Sequence, residues 1–219
     1  MTMNQKTLQA VFFDFDGVIV DSNTIKTEGF RVLFGQYDDD IITKIVKYHH
    51  KHGGISRVDK ISYVHHHMLG SPLTDDELSC WSRKYSKLVL EKVVDADWIA
   101  GAEDFLKSMC GTVPIFVISG TPGNELRDII KQRKMSDYFR EILGSPVKKP
   151  THIRSLLSAY NLTPERCIFV GDALTDYNAA KETGLHFIGI QGEIDFPPGT
   201  TVLPDCRKLQ IEISRQFFR

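Results

Sequence analysis

The sequence predicts an α/β protein: a parallel sheet with crossover helices, interrupted after its first strand by an all-helical subdomain. Short β-rich apolar runs recur, QAVFFDF, VPIFVISG, CIFVGD and HFIGIQG, each ending in small or acidic residues and each followed by a helical pattern. Strands buried on both faces read this way when helices cross between them. About a hundred residues separate the first run from the second, far more than the ~10 to 12 that a crossover needs. That long interval carries helical patterns and no strong strand signal.

The first strand, QAVFFDF, ends on Asp14 and Asp16 and is followed at once by Gly17. Helical patterns then run over 22–35, 38–52, 56–69 and 74–93. Ser56 is placed to cap the third, and Thr74 with Glu77 three residues on forms a capping box for the fourth. The helical subdomain is therefore expected over residues 18–94, with 1–17 and 95–219 forming the core and hinges near 17–20 and 95–98. VPIFVISG supplies the second strand and ends at Ser119, CIFVGD ends on Asp172, and HFIGIQG closes the series. The carboxyl ends of such strands line the ligand crevice, because the connections diverge at that edge. Asp14, Ser119 and Asp172 are thus expected to converge.

Composition narrows the partners. Lys and Arg total 27 against 28 Asp and Glu, a net charge of -1, which gives no reason to expect a nucleic acid or an anionic membrane. The four cysteines lie far apart, without C-x-x-C pairing or zinc-type histidine spacing, and read as reduced and structural. MTMNQKTLQA has no apolar stretch behind a basic start, and no run approaches the ~20 apolar residues of a membrane span. A cytoplasmic protein, a monomer or weak homodimer, is expected.

Residues i and i+2 of an extended segment project to the same side, so Asp14 and Asp16 start as neighbours. An Asp before Gly also suits a plain turn. With Asp172 brought in from another strand, several carboxylates crowd one crevice, which raises their pKa values unless a cation neutralises them. All-oxygen ligation with room for water and substrate oxygens favours Mg2+ over zinc.

The pattern D-F-D-G-V-I-V-D-S, followed by V-I-S-G-T, the lysine pair of K-K-P, and G-D-A-L-T-D with a small-residue helix and Gly184, resembles the haloacid dehalogenase-like (HAD) superfamily of phosphohydrolases. The resemblance is closest to the branch of phosphoglycolate phosphatase and β-phosphoglucomutase, and it implies a Rossmann-like core with a helical cap inserted after the first motif. It implies that Asp14 is the nucleophile and that Asp16 moves the proton while its backbone carbonyl joins the metal shell. Asp172 and Asp176 would ligate the metal with Asp14, although an acid at Asp176 also suits the positive end of a helix. Ser119 would donate to a phosphoryl oxygen, or cap a helix, with the backbone N–H groups near Gly120 and Thr121 at a helix start. Lys149 would offset the charge of phosphate and nucleophile, with Lys148 as the alternative. Gly17 permits the turn out of the strand.

Within the helical segment, HKHGGISRVDKISYV resembles the G-x-S-R segment of the β-phosphoglucomutase cap, which implies a substrate-phosphate contact for Arg57; an exposed surface arginine is the other reading. Lys60, one turn on, lies on the same face. Consecutive histidines, as in 49–50 and 65–67, point in different directions on a helix and suit packing better than chelation. Trp81 and Trp98 suit buried anchoring. The resemblance implies a Mg2+-dependent phosphatase of a small phosphorylated metabolite such as a sugar phosphate or phosphoglycolate. A sugar-phosphate mutase is the alternative kept alive by Arg57, and a receiver-like signalling module is a remote third.

Overall fold

The structure, a computed structural model, describes residues 7–217. The first six and last two residues of the spans expected to form the core lie outside the described residues. The chain runs β1 (Ala10–Phe13), α1 (Asn23–Leu33), α2 (Asp39–Lys51), α3 (Arg57–Tyr63), α4 (Asp75–Asp95), α5 (Ala102–Met109), β2 (Ile115–Pro122), α6 (Gly123–Gln132), β3 (Glu141–Ser145), α7 (Lys149–Ala159), β4 (Cys167–Gly171), α8 (Leu174–Thr183), β5 (His186–Ile190), β6 (Val202–Leu203) and α9 (Leu209–Phe217). The six strands form one parallel sheet in the order β3-β2-β1-β4-β5-β6.

Alternation along β1 divides the core between the two faces of the sheet. Phe12 packs with Phe116, Phe169, Ile153 and Ala180 beneath α7 and α8. Val11 and Phe13 pack with Val117, Val170, Phe105 and Ile129 beneath α5 and α6. Because β1 is flanked by β2 on one side and β4 on the other, the chain reverses its direction of travel there, and a crevice opens at the carboxyl ends. Phe13 stands level with Val117 and Val170. Asp14 follows one residue beyond that line, and Ser119 and Asp172 two.

Two strands were not foreseen. The segment EILGS of β3 carries Glu and Gly and is mostly half-buried, so it lacks the continuous apolar run that announces its neighbours. β6 has two residues and no pattern at all. The start of α6 also differs from expectation: β2 runs on through Thr121 to Pro122 after a register shift past Ser119, and α6 opens at Gly123. Gly120 and Thr121 therefore belong to the strand, not to a helix start.

The long interval after β1 carries α1 to α4 and a π-helical turn over Val64–Met68. Ser56 accepts from the Asp59 N–H, and Thr74 with Glu77 makes the capping box, so both helix starts lie where those residues can hold them. Helices α1 and α4 approach closely at Gly29, where a Cβ would lie 2.4 Å from Val89 Cγ1. Phe30 packs on the Tyr85 ring at 4.7 Å, Phe34 on Trp81 at 5.1 Å, and buried His65 sits edge-on to Trp81 at 4.5 Å. Trp98 lies under the Arg133 guanidinium at 5.4 Å.

Gly29→Val is expected to destabilise the protein by about 2 kcal/mol in urea unfolding, because overpacking outweighs the small gain in helix propensity. An unchanged or raised midpoint would show that α1 and α4 do not depend on this approach.

Candidate active site

Gly17 turns the chain out of β1 with φ +73°, and a Cβ there would fall 2.2 Å from both Asn23 Nδ2 and Asp172 Oδ2. Only glycine meets both demands. The loop thus lets the two acids beside it come close to other elements, and each goes a different way.

Asp14 is buried at the end of β1. Its own N–H donates to the Val170 carbonyl at 2.9 Å and its carboxylate accepts the Phe15 N–H at 2.7 Å. Lys149, the first residue of α7, places Nζ 3.0 Å from Asp14 Oδ2 and 2.6 Å from Asp176 Oδ1. Asp176, fully buried in the first turn of α8, also accepts the Ala173 N–H at 3.1 Å. It therefore serves the helix start and the cluster at once. Lys148 is exposed, so of the lysine pair it is Lys149 that reaches the acids.

Asp172 accepts from Asn23 Nδ2 at 2.7 Å. Oxygens of Asp14, Asp172 and Asp176 all lie within 4.8 Å of one another. Burial pushes Asp14 up to about 7, against the pull of Lys149 and with the help of the charges on Asp176 and Asp16. Burial and the charges of Asp14 and Asp176 push Asp172 up to about 8. Lys149, although buried, is held above the ordinary lysine range by Asp14 and Asp176. One ammonium among three acids leaves negative charge in surplus, and oxygen-only donors at this spacing suit a hard divalent cation.

Asp16 turns toward β2 and α1 instead. Its carboxylate accepts from Ser22 Oγ at 2.6 Å, Thr121 Oγ1 at 3.0 Å and Ser119 Oγ at 3.2 Å, and it pairs with the Lys26 ammonium. Burial alone would raise its pKa, but Lys26 with the Ser22 and Thr121 hydroxyls holds it below the ordinary carboxylate range. The Asp16 side chain thus stands apart from the three clustered acids. Ser119 Oγ also accepts the Thr121 N–H at 3.1 Å, which engages that backbone donor.

A cavity of about 360 Å³ lies between these strand ends and the helices of the long insertion. Asp14, Asp16, Ser119, Gly120, Thr121 and Asp172 line it from the sheet, and Lys26, His49, Arg57 and Lys60 from α1 to α3. Arg57 differs from expectation. It is buried, and its guanidinium spans both carboxylate oxygens of Glu125 on α6 while also donating to Ser86 on α4. Sequence reasoning also missed Ser22, Asn23 and Lys26. Their spacing of one, three and four along a helix start just after the D-x-D-G turn places them together, and that was the available signal.

The family model described as haloacid dehalogenase-like hydrolase matches residues 11–190. The 6-phosphogluconate phosphatase of Escherichia coli (strain K12) is 24% identical over 184 residues, covering 81% of this chain and 80% of that protein. A phosphoglycolate phosphatase of Pseudomonas putida is 30% identical over 108 residues, 44% of this chain and 40% of that one. In fold, β-phosphoglucomutase from Clostridium difficile superposes with a TM-score of 0.77 over 97% of this chain and 98% of that chain at 19% identity.

The raised acids set a pH dependence. An acid whose pKa rises on folding from 3.8 binds its proton more tightly in the folded state, so it favours the fold below that value and the benefit disappears as pH climbs through about 7 for Asp14 and about 8 for Asp172. With divalent cations chelated, urea midpoints are expected to fall from pH 5 to pH 8, and Asp172→Asn to flatten that fall. Parallel slopes in the two proteins would count against the crowding.

Proposed function

The chain belongs to the haloacid dehalogenase-like hydrolase family, and we propose that it is a Mg2+-dependent phosphatase of a small phosphorylated metabolite, acting through an aspartyl phosphate on Asp14. The observation that carries this reading is Asp14 itself, buried at the cavity with one oxygen on the Lys149 ammonium and two further acids within reach.

In the first half-reaction an Asp14 oxygen attacks phosphorus, the bond from phosphorus to the leaving oxygen breaks, and Asp16 gives that oxygen a proton. In the second, water attacks the aspartyl phosphate, Asp16 takes the water's proton, and the bond between phosphorus and the Asp14 oxygen breaks to release phosphate. The hydroxyls of Ser22, Ser119 and Thr121 and the Lys26 ammonium favour ionised Asp16, the form that the second half-reaction needs. Lys149 offsets charge shared by nucleophile and phosphoryl group. The Ser119 hydroxyl and the Gly120 backbone line the cavity where phosphoryl oxygens would sit, whereas the Gly17 N–H is taken by the Val20 carbonyl and the Thr121 N–H by Ser119 Oγ.

The carboxylates of Asp14, Asp172 and Asp176, with the Asp16 backbone carbonyl, would hold Mg2+. Such a cation withdraws charge from phosphoryl oxygens. The donor set supports the fit, since three carboxylates with one ammonium among them leave a surplus of negative charge. The helices over residues 18–94 act as a cap that excludes water from the cavity. The pairing of Arg57 with Glu125 supports hydrolysis over a sugar-phosphate mutase, and the match to a hydrolase family supports it over a receiver-like module.

A panel of phosphorylated metabolites assayed with Mg2+ is expected to reveal phosphate release that Asp14→Asn lowers by roughly 10³-fold or more. Mg2+ should raise the Tm of the wild-type protein and not that of Asp172→Ala. Full activity in Asp14→Asn, or glucose 1-phosphate converted without phosphate release, would overturn the proposal.

A further inference from the structure

Two buried cations of α3 face the cavity, and their surroundings differ. Arg57 is 5% exposed, and its charge is matched by both oxygens of Glu125 in a forked pair. Lys60, one turn on, is 4% exposed. Among the described residues, no carboxylate comes within ion-pair distance of its ammonium. Lys60 Nζ instead meets the His49 carbonyl at 3.3 Å and His49 Nδ1 at 3.2 Å, above the Phe30 ring at 5.9 Å.

When Lys60 is protonated it has only donors, so the His49 nitrogen facing it then accepts and the proton of the neutral ring sits on Nε2. His49 thus keeps a second donor. Burial, with Lys60 and His50 close by, holds the His49 ring neutral. Burial, followed by the Lys26 charge, also pushes Lys60 down to about 7. Asp16 and Asp172 pull the other way without pairing with it. A buried ammonium with no carboxylate paired to it is costly, and both side chains line the cavity through which a counter-charge can arrive.

We infer, on the footing that the cavity takes a phosphomonoester, that Lys60 with His49 forms the subsite for a second anionic group of the substrate, and that Arg57 does not. The transferring phosphoryl group stays at the Asp14 and Lys149 end, on residues of the sheet edge and α7. Lys60 and His49 belong to α3 and α2, on the helical wall of the cavity. Arg57 has a different role, because its pair with Glu125 ties α3 to α6 and keeps that wall seated over the strand ends. A carboxylate and a second phosphate offer the same anionic oxygens to an ammonium.

Three six-carbon esters separate these cases: glucose 6-phosphate without a second anion, 6-phosphogluconate with a carboxylate, and glucose 1,6-bisphosphate with a second phosphate. Wild-type kcat/KM is expected to favour one of the two anion-bearing esters over glucose 6-phosphate by about 100-fold, and which one identifies the group. In Lys60→Met that preference should collapse at least about tenfold, mainly through KM, while Lys60→Arg retains most of it. The Tm of Lys60→Met should equal or exceed the wild-type value, because an uncompensated buried charge is removed; a lower Tm would make Lys60 a structural group. Equal rates on all three esters, or the same loss on all three in Lys60→Met, would refute the subsite while Asp14-dependent phosphate release left the phosphatase reading standing. Absence of release from every ester would remove both.

Discussion

Repulsion among three acids at one sheet edge is the constraint around which this molecule is arranged. Asp14, Asp172 and Asp176 come from β1, the end of β4 and the first turn of α8, and a single buried ammonium, Lys149, stands among them. Gathering like charges out of water is unfavourable, and here the fold enforces it through backbone the cluster does not control. The Asp14 N–H is fixed on the β4 carbonyl of Val170, and the Asp176 carboxylate is fixed by the helix start it caps. Gly17 and Gly171 remove the Cβ atoms that would otherwise collide with Asp172 and Asp176. That surplus of negative charge is what a hard divalent cation would neutralise.

Much of this was legible because it is carried by residue type at fixed strand ends. β1, β2, β4 and β5 announce themselves as apolar runs, since both their faces are buried, and their terminal residues fall on the crevice by topology alone. Lys149 was separable from Lys148 only in three dimensions, where one is buried at the start of α7 and the other is exposed. β3 escaped because an edge-side strand containing Glu and Gly has no strong pattern. The partner of Arg57 escaped for a different reason. An arginine at a helix start advertises an anion, yet the anion is Glu125, 68 residues away, and no periodicity links the two.

The two aspartates of the first motif show how little spacing determines. Sequence places them as neighbours on one side of a strand, but β1 ends at Phe13 and both lie in the turn beyond it. There Asp14 faces Lys149 and Asp16 faces Lys26, so each acid has its own cation and its own set of donors. Their pKa values move in opposite directions, because burial outweighs Lys149 at Asp14 whereas Lys26 and the hydroxyl donors outweigh burial at Asp16. Separate environments are what would let the two acids take the separate roles proposed for them.

Lys26 extends the point to the helices over the site. It is carried by α1, yet its ammonium also reaches Thr121 Oγ1 at 2.6 Å, and Tyr85 of α4 donates to its backbone carbonyl at 3.0 Å. Arg57 meets Glu125, His50 meets Glu193, and Thr175 Oγ1 donates to the Gly53 carbonyl at 3.1 Å. Gly120 admits the Gly54 carbonyl to 2.7 Å of where its Cβ would stand. Apart from the Tyr85 bond, which joins α4 to α1, these are five contacts between the helical segment and the elements around the cavity, and four of them are polar. Polar contacts of this kind exchange with water at small net free-energy cost, unlike the aromatic packing of Phe30, Phe34 and Trp81 inside the segment. Behind the cavity the seam is apolar, because Val89 and Val93 of α4 belong to the same buried cluster as Leu126 and Ile130 of α6. Such a seam would part first at its polar rim around the cavity, where contacts can be exchanged for water.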